Sequence, residues 1–348
     1  MIDIDGSMME GGGQVLRMAT SYSAVLGEPI RVYNIRANRS QPGLKPQHLT
    51  TLRAAARISN AEIRGDSIGS SEIVFEPGRI RGGDYSFDIG TAGSVSLMLQ
   101  CLTPILLYAD DDSSVSIKGG TAVKWSPPVA FLEHVVYEAF KAMGGSLDIN
   151  VQRHGFYPRG GGEVTQKTKP VDKLNPLNLE NPAIKNINGV SLCGSLPRHV
   201  AERQADAAKE KLSELSMEVD IKRVVADPEP FGPSSFICLW AEGSNVYLGA
   251  DSLGARGKPA EKVGREAAAS LINEIRTGAN LDQHTTDHMI LPASLAQGVS
   301  VFKTSHITLH TLTAIELAKQ FTDAWFKIDG KQGEPGVIRV CGIGLGNR

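Results

Sequence analysis

The chain has 348 residues, of which 41% are hydrophobic and 21% charged, and its formal net charge is −2. This length exceeds one ordinary hydrophobic core, and no apolar run reaches the roughly 20 residues of a membrane span, so the composition is that of a globular, soluble protein. The near-neutral charge excludes coating of long nucleic acid by bulk counterion release, and any polyanion must be gripped at a local site.

The first residues, "MIDIDGSMMEGGGQ", lack a basic segment followed by an apolar one and do not read as a signal peptide. Next, "DIDGSMMEGGGQVLRMATSYSAVLGEPIRVYNIRA" reads as strand, Gly-rich turn, helix and strand, and "PQHLTTLRAAARIS" follows as a helix with Leu49, Leu52 and Ala56 on one face. Strands follow in "AEIRGDSIGSSEIVFEP". The same order returns in "FDIGTAGSVSLMLQCLTPILLYADDDSSVSIKGG", in the helix "PPVAFLEHVVYEAFKAM" and in the strands of "LDINVQRHGFYPRGGGEVTQKT". The unit is βαβαββ, repeated. The Pro- and Asn-rich "DKLNPLNLENPAIKN" reads as a linker. A block over 185–278 then runs βαβββα, from "GVSLCGS" to "AEKVGREAAASLINEIRTG". After it the first pattern resumes with "DHMILPASLAQG", "VSVFKTS", "HTLTAIELAKQF", "AWFKID" and "GVIRVCG". The sequence therefore predicts an α/β protein with a large three-repeat domain over 1–184 and 279–348 and a small α/β domain inserted at 185–278. Open α/β sheets place their sites at strand ends and loops. The four cysteines are far apart and none forms CxxC. That favours a reducing, cytoplasmic setting over a disulfide framework or zinc ribbon.

Several segments carry chemistry. In "EGGGQVLR", three glycines before a helix let backbone N–H groups approach an anion, and Glu10 beside them is a candidate ligand for a phosphate-bound cation. Arg17 is placed to face the same pocket. The loop "IRANRSQPGLKPQHL" gathers Arg36, Arg39, Lys45, Gln47 and His48 with no acidic residue, as a polyanion end requires. Gly pairs in "RGGDYSFDIGTAGS", "SIKGGTAVKWSPP" and "YPRGGGEV" suggest equivalent loops around one cleft, with Arg81, Lys118, Lys124 and Arg159 adding charge and Gln100 a hydrogen-bonding group. Two histidine pairs, His284/His288 and His306/His310, share i,i+4 spacing. A zinc site is compatible with that spacing, but neither pair carries the glutamate of HExxH and no thiolate is near. The other reading is an imidazole nucleophile toward phosphorus, which needs an anion cradle, a cation and a group to orient the ring. The glycine turn, Glu10 and Asp287 are residues of the right type. His134, between acidic neighbours, is expected to be exposed, and His199 to start a helix of the inserted block.

The segments "DGSMMEGGGQVLR", "IRANRSQPGLKPQHL", "GRIRGGDYSFDIGTAGSVSLMLQ", "GGTAVKWSPP", "RHGFYPRGGGEV", "LPRHVAER", "DHMILPASLA" and "SHITLHTLTAIE" together resemble the RNA 3′-terminal phosphate cyclases over almost the whole chain. The resemblance implies three βαβαββ repeats, like those of enolpyruvyl transferases, and a thioredoxin-like insert. It implies an ATP-dependent ligase requiring Mg2+ or Mn2+. A histidine of such an enzyme takes AMP from ATP and passes it to an RNA 3′-phosphate. The 2′-hydroxyl then closes a 2′,3′-cyclic phosphate and expels AMP. On the "H-x-L-T-x-I" register His310 matches the adenylylated histidine and His306 does not. Glu10 matches a metal-associated carboxylate. Arg17, Arg36, Arg39, Gln47 and His48 match RNA-end and phosphate contacts. Gln100, Pro127, Pro128 and the segment His284, Thr285, Thr286, Asp287 and His288 match the ATP pocket. Many bacterial members have Asp-Gln where this chain has Asp287-His288. The implied partner is an RNA 3′-phosphate end, with no membrane and no DNA partner, and oligomeric state is left open. Two alternatives share the architecture: the enolpyruvyl transferases, which use no covalent histidine, and a non-catalytic ribosome-assembly paralogue, which lacks the reactive histidine that "LHTLTAIE" retains here.

Overall fold

The computed structural model describes residues 1–347. The first repeat is β1 (Ile2–Asp5), α1 (Gly13–Leu26), β2 (Ile30–Tyr33), α2 (Pro46–Ser59), β3 (Glu62–Arg64) and β4 (Ile73–Glu76). Its sheet has the order β1-β2-β4-β3, with β1 and β2 parallel and the other pairs antiparallel. The second repeat is β5 (Gly83–Asp88), α3 (Val95–Leu107), β6 (Ser113–Gly119), a helix made of α4 (Val129–Phe131), a π-turn over Leu132–Val136 and α5 (Tyr137–Ala142), then β7 (Ser146–Arg153) and β8 (Gly162–Lys169). Its sheet order, β5-β6-β8-β7, repeats the first.

The inserted block is β9 (Ala183–Gly194), α6 (His199–Leu212), β10 (Glu218–Val225), β11 (Ser234–Ser244), β12 (Gly249–Leu253) and α7 (Ala260–Arg276). The third repeat follows with α8 (Gln283–Leu295), β13 (Gln297–Thr304), α9 (Leu309–Phe321), β14 (Trp325–Asp329) and β15 (Gly336–Ile343). Its sheet, β13-β15-β14, lacks a full first strand, and single parallel bridges from Asn178 to Val301 and from Leu281 to Thr304 stand in that place. A strand position supplied by two separated stretches leaves no period-2 run in the sequence. The last residues of the predicted linker, "AIKN", belong to β9, because Ala183 and Ile184 pair with Ser244 and Gly243 past an irregularity in the ladder.

The helices form the interior. Helices α1, α2, α3, α8 and α9 pack against one another, and each sheet lays one apolar face on them through pairs such as Ile73/Phe75, Val115/Ile117 and Ile338/Val340. This explains why α1 and α3 are buried on nearly every side and carry weak amphipathic patterns. Local signals fix their starts: Ser94 accepts from Leu97 N at 3.2 Å, Asp282 caps α8, and Thr308 accepts from Thr311 N at 2.9 Å. Gly27, at φ 75°, ends α1 in the left-handed region.

In the inserted block the sheet order is β10-β9-β11-β12. One face packs on α6 and α7 around Ile187, Ile221, Ile237, Leu239, Ala267 and Leu271. The other face joins the core of the repeats through Leu192, Phe236 and Cys238. Trp240 on that face stacks on His134 with ring centroids 4.0 Å apart, so His134 is half-buried and not the solvated residue expected from its acidic neighbours. His199 does start α6. Helices α6 and α7 meet closely at Gly264, where an added Cβ lies 2.0 Å from the Gln204 carbonyl oxygen. Gly264→Ala should gain about 1 kcal/mol of helix propensity and lose more by forcing the helices apart, for a net loss of about 2 kcal/mol. Urea unfolding of the variant checks this, a rise in midpoint being the contrary result. No helix among the described residues is long and apolar enough to cross a membrane.

Candidate active site

A cavity of about 630 Å³ opens where the starts of α1, α2, α3, α8 and α9 converge. Gly13, Gln14 and Arg17 come from α1, His48 from α2, Leu97 and Gln100 from α3, His284, Asp287 and His288 from α8, and His310 from α9. Each helix start carries about half a positive charge on its free N–H groups, so the backbone alone makes the cavity attractive to anions.

Three arginines add to this. Arg17 is only 8% exposed, and its Nε donates to Gln100 Oε1 at 3.2 Å. Burial lowers its pKa to about 10, which leaves it charged at neutral pH. Arg36 sits at φ 55° and donates from Nη1 to the carbonyls of Gln41 and Gly43, each at 2.8 Å, so it braces its own loop. Arg39 pairs with Glu10, whose other carboxylate oxygen accepts from Gly12 N at 2.8 Å. A Cβ on Gly13 would lie 2.6 Å from His48 Nε2 and 2.8 Å from Arg17 Nη1, so the bare backbone there is what lets these two groups close on the turn.

His310, the second residue of α9, faces the cavity. Gln14 holds it twice: Gln14 Nε2 donates to the His310 carbonyl oxygen at 3.0 Å, and Gln14 Oε1 lies 2.7 Å from His310 Nδ1. A carbonyl only accepts, so the amide NH2 must face it, and Oε1 is left for the ring. Oε1 also only accepts. Nδ1 therefore carries the proton, and Nε2 keeps its lone pair. Burial, with help from Arg17, His284 and Arg39, lowers the His310 pKa, so the ring is neutral near pH 7.

Asp287 does not reach the ring. Its Oδ1 accepts from Thr308 Oγ1 at 3.0 Å and Thr311 Oγ1 at 2.6 Å, which ties α8 to the first turn of α9. Burial raises its pKa to about 7 against the effect of those bonds. His288 and His48 are each lowered to about 3, by burial first and then by Arg17.

The cavity thus brings together Glu10, Arg17, Arg36, Arg39, His48, Gln100, Pro127, His284, Asp287, His288 and His310 of the residues singled out in sequence. Gln47, Pro128, Thr285 and Thr286 do not line it. Gln47 Oε1 accepts from Ser94 N at 2.8 Å, Pro128 precedes α4, Thr285 Oγ1 donates to Asp282 at 2.8 Å and Thr286 Oγ1 to Thr304 at 2.8 Å. His306 lines a different cavity, with Glu274, Arg276 and Gln283. Of the two histidine pairs, His284, His288 and His310 share the cavity and His306 stands apart, and no group of three or more His, Cys, Asp or Glu among the described residues is arranged to hold a metal. The extra cations expected from the Gly-pair loops are elsewhere: Arg81 pairs with Asp110, Arg159 donates to the Phe231 carbonyl, and neither Lys118 nor Lys124 lines the cavity. Sequence reasoning missed Gln14, Trp125 and Asp251. Trp125 is 95% exposed at the rim with φ 69°.

A cleft of this kind, cut into a repeated α/β body, is that of an enzyme acting on an anion. The chain belongs to the RNA 3′-terminal phosphate cyclase family, whose profile matches residues 8–328. It is 47% identical to the RNA 3′-terminal phosphate cyclase of Staphylothermus marinus, over 99% of both chains. It is 46% identical to that of Desulfurococcus amylolyticus, over 99% of both, and 43% identical to that of Pyrococcus furiosus, over 98% of both.

Proposed function

We propose that this protein converts an RNA 3′-terminal phosphate to a 2′,3′-cyclic phosphodiester at the expense of ATP, with His310 as nucleophile. The observation that carries this reading is the double hold of Gln14 on His310, which leaves Nε2 free and unprotonated in a cavity of positive potential. Nε2 attacks the α-phosphorus of ATP. A P–N bond forms, the bond to the bridging oxygen breaks, and pyrophosphate leaves. The phosphoramidate is labile and passes AMP to an oxygen of the RNA 3′-phosphate. The 2′-hydroxyl oxygen then attacks that phosphorus, loses its proton, closes the ring and expels AMP. Arg17, Arg36 and Arg39 stabilise charge on the phosphates during each transfer. The cavity volume suits a nucleoside triphosphate, and Gln100, Pro127, His284, Asp287 and His288 would surround its nucleoside part. Gln47, Pro128, Thr285 and Thr286 would act by holding these residues in place. His48 would join the arginines at the RNA end.

A divalent cation, Mg2+ or Mn2+, fits Glu10. One carboxylate plus substrate phosphates is a usual way to hold Mg2+, and Glu10 is free for it once Arg39 turns to a phosphate. Bound there, the ion would neutralise phosphate charge. The proposal also takes 185–278 as an inserted domain and the cytoplasm as the setting.

The direct test is incubation of the protein with α-³²P-ATP, Mg2+ and a 3′-phosphorylated oligoribonucleotide. Label on the protein and a cyclic end are expected. An enolpyruvyl transferase or a non-catalytic paralogue would take no label. Gln14 acts as a positioning residue, and Gln14→Glu separates that role from simple packing. A carboxylate beside Nδ1 favours the charged ring, so the pH below which labelling fails should rise. Gln14→Ala should lower kcat by about 10²-fold with KM for ATP little changed. A pH profile and kcat equal to wild type in both variants would remove the role.

A further inference from the structure

The glycine run of "YPRGGGEV" lines no part of the cavity at the helix starts. It shapes a second surface. Loop 155–161, between β7 and β8, and loop 230–233, between β10 and β11, enclose a groove of about 270 Å³. Phe156 turns inward and packs on His154 and Phe236, with ring centroids 6.3 and 6.2 Å away. Tyr157, next in the chain, turns outward and is 80% exposed. Phe231, from the inserted block, is 51% exposed. Its ring lies against the bare backbone of Gly161, where a Cβ would come within 2.1 Å, and the Arg153 guanidinium stands 5.4 Å from its centroid. Arg159 Nη1 donates to the Phe231 carbonyl at 3.1 Å and ties the two loops together. Pro158, Pro230 and Pro233 stiffen the walls. Two aromatic rings are thus presented to solvent on a fixed frame.

The groove is also cationic. Arg153 Nε is buried without a hydrogen-bond partner. Among the described residues neither Arg153 nor Arg159 forms an ion pair. Glu163, opposite Arg153 in the β7–β8 ladder, forms none with it, nor do the exposed Asp227 and Glu229 just before loop 230–233.

Backbone contacts join this groove to the cavity. Thr121 N donates to the Gly155 carbonyl at 2.8 Å, and Gly155 N donates to Thr121 Oγ1 at 3.0 Å. The loop that starts at Thr121 carries Trp125 to the cavity rim. A Cβ on Gly160 would lie 2.7 Å from the Thr91 carbonyl oxygen, and Ser94, three residues on, donates from N to Gln47. Gln47 adjoins His48, which shares the cavity with Arg17, Arg36 and Arg39. A single layer of loops therefore separates the cationic end of the cavity from the two rings.

We propose that this groove holds the single-stranded RNA that precedes the 3′-phosphate. The inference rests on the RNA-end reading above. Tyr157 and Phe231 stack on bases, and Arg153 and Arg159 face backbone phosphates. Every base has a π-face, so the platform reads strand length and not sequence. Aromatic and proline walls also suit a peptide, but arginines left without carboxylates favour a polyanion.

The test measures cyclisation of 3′-phosphorylated oligouridylates of two to ten nucleotides at saturating ATP. In the wild type KM should fall with length and then level off. Tyr157→Ala should raise KM for the decamer by about 10-fold with kcat little changed, which narrows the gap between decamer and dinucleotide. Tyr157→Phe keeps the ring and should stay near wild type. Arg159→Ala should lower the slope of log KM against log salt by about 0.7. Anisotropy of a fluorescent 3′-phosphorylated decamer without ATP should show the same order of affinities. A decamer KM unchanged in Tyr157→Ala and Arg159→Ala, or a wild-type KM independent of length, would overturn the groove assignment alone. A wild type that neither binds nor cyclises any of these oligonucleotides would overturn the RNA-end reading and this one with it.

Discussion

His310→Ala should abolish protein labelling by α-³²P-ATP and slow RNA-end cyclisation by at least about 10³-fold, while His306→Ala should leave both near wild type. The contrast follows from position. His310 opens into the cavity of the helix starts and is held by Gln14, whereas His306 lines a separate cavity beside Glu274. Alanine at 310 keeps the helix, because Thr308 caps it through its own hydroxyl. A folded, inert variant is therefore expected, which circular dichroism and a thermal melt check. Peptide mapping of the wild-type adduct should find the mass of AMP on the peptide that contains His310. An adduct elsewhere, or full-speed cyclisation by the alanine variant, would remove the histidine from the mechanism.

Arg17→Met should lower the rate of labelling by about 10²-fold and also move its pH profile. The sign follows from the ring. On the proposed mechanism His310 attacks as the neutral imidazole, so labelling is expected above its pKa and lost as pH falls through it. Burial and the nearby cations lower that pKa below the ordinary value of about 6.5, so the wild-type loss lies at lower pH. Removing Arg17 removes one of those cations and should bring the loss to higher pH. The rate loss has a second origin, because Arg17 is the arginine most shielded from water among those in the cavity and its charge is the least screened there. Gln100, its hydrogen-bond partner, would be left without a donor. A reduced rate with an unmoved profile would mean that Arg17 grips phosphate without tuning the histidine.

Much of this architecture could be read from residue order. The two full repeats announced themselves by glycine turns ahead of helices and by strands after them, and the sheets β1-β2-β4-β3 and β5-β6-β8-β7 carry the same pairing. The third repeat was harder, since two single bridges stand in for its first strand. Eleven of the fifteen residues matched to the family's site by resemblance line one cavity, because glycines, arginines and histidines advertise their chemistry. Gln14 did not, since an amide inside a helix looks like any polar helical residue until its partner on α9, His310, is known. Asp251 was hidden differently. It sits in a strand of the inserted block, and only the packing of that sheet against the repeats brings it to the cavity. The lysines and arginines beside the Gly pairs misled for the converse reason: they are near the glycines in sequence and point to other surfaces.

The shared apolar interior has a consequence for how the molecule came by its insert. Leu192, Phe236 and Cys238 lie in one continuous core with the repeats, and Trp240 covers His134. Cutting the block out would bare an oily wall on both pieces and remove Asp251 from the lining of the cleft. A segment so placed is a wall of the reaction chamber, and its sequence is free to drift only where it faces away from that room.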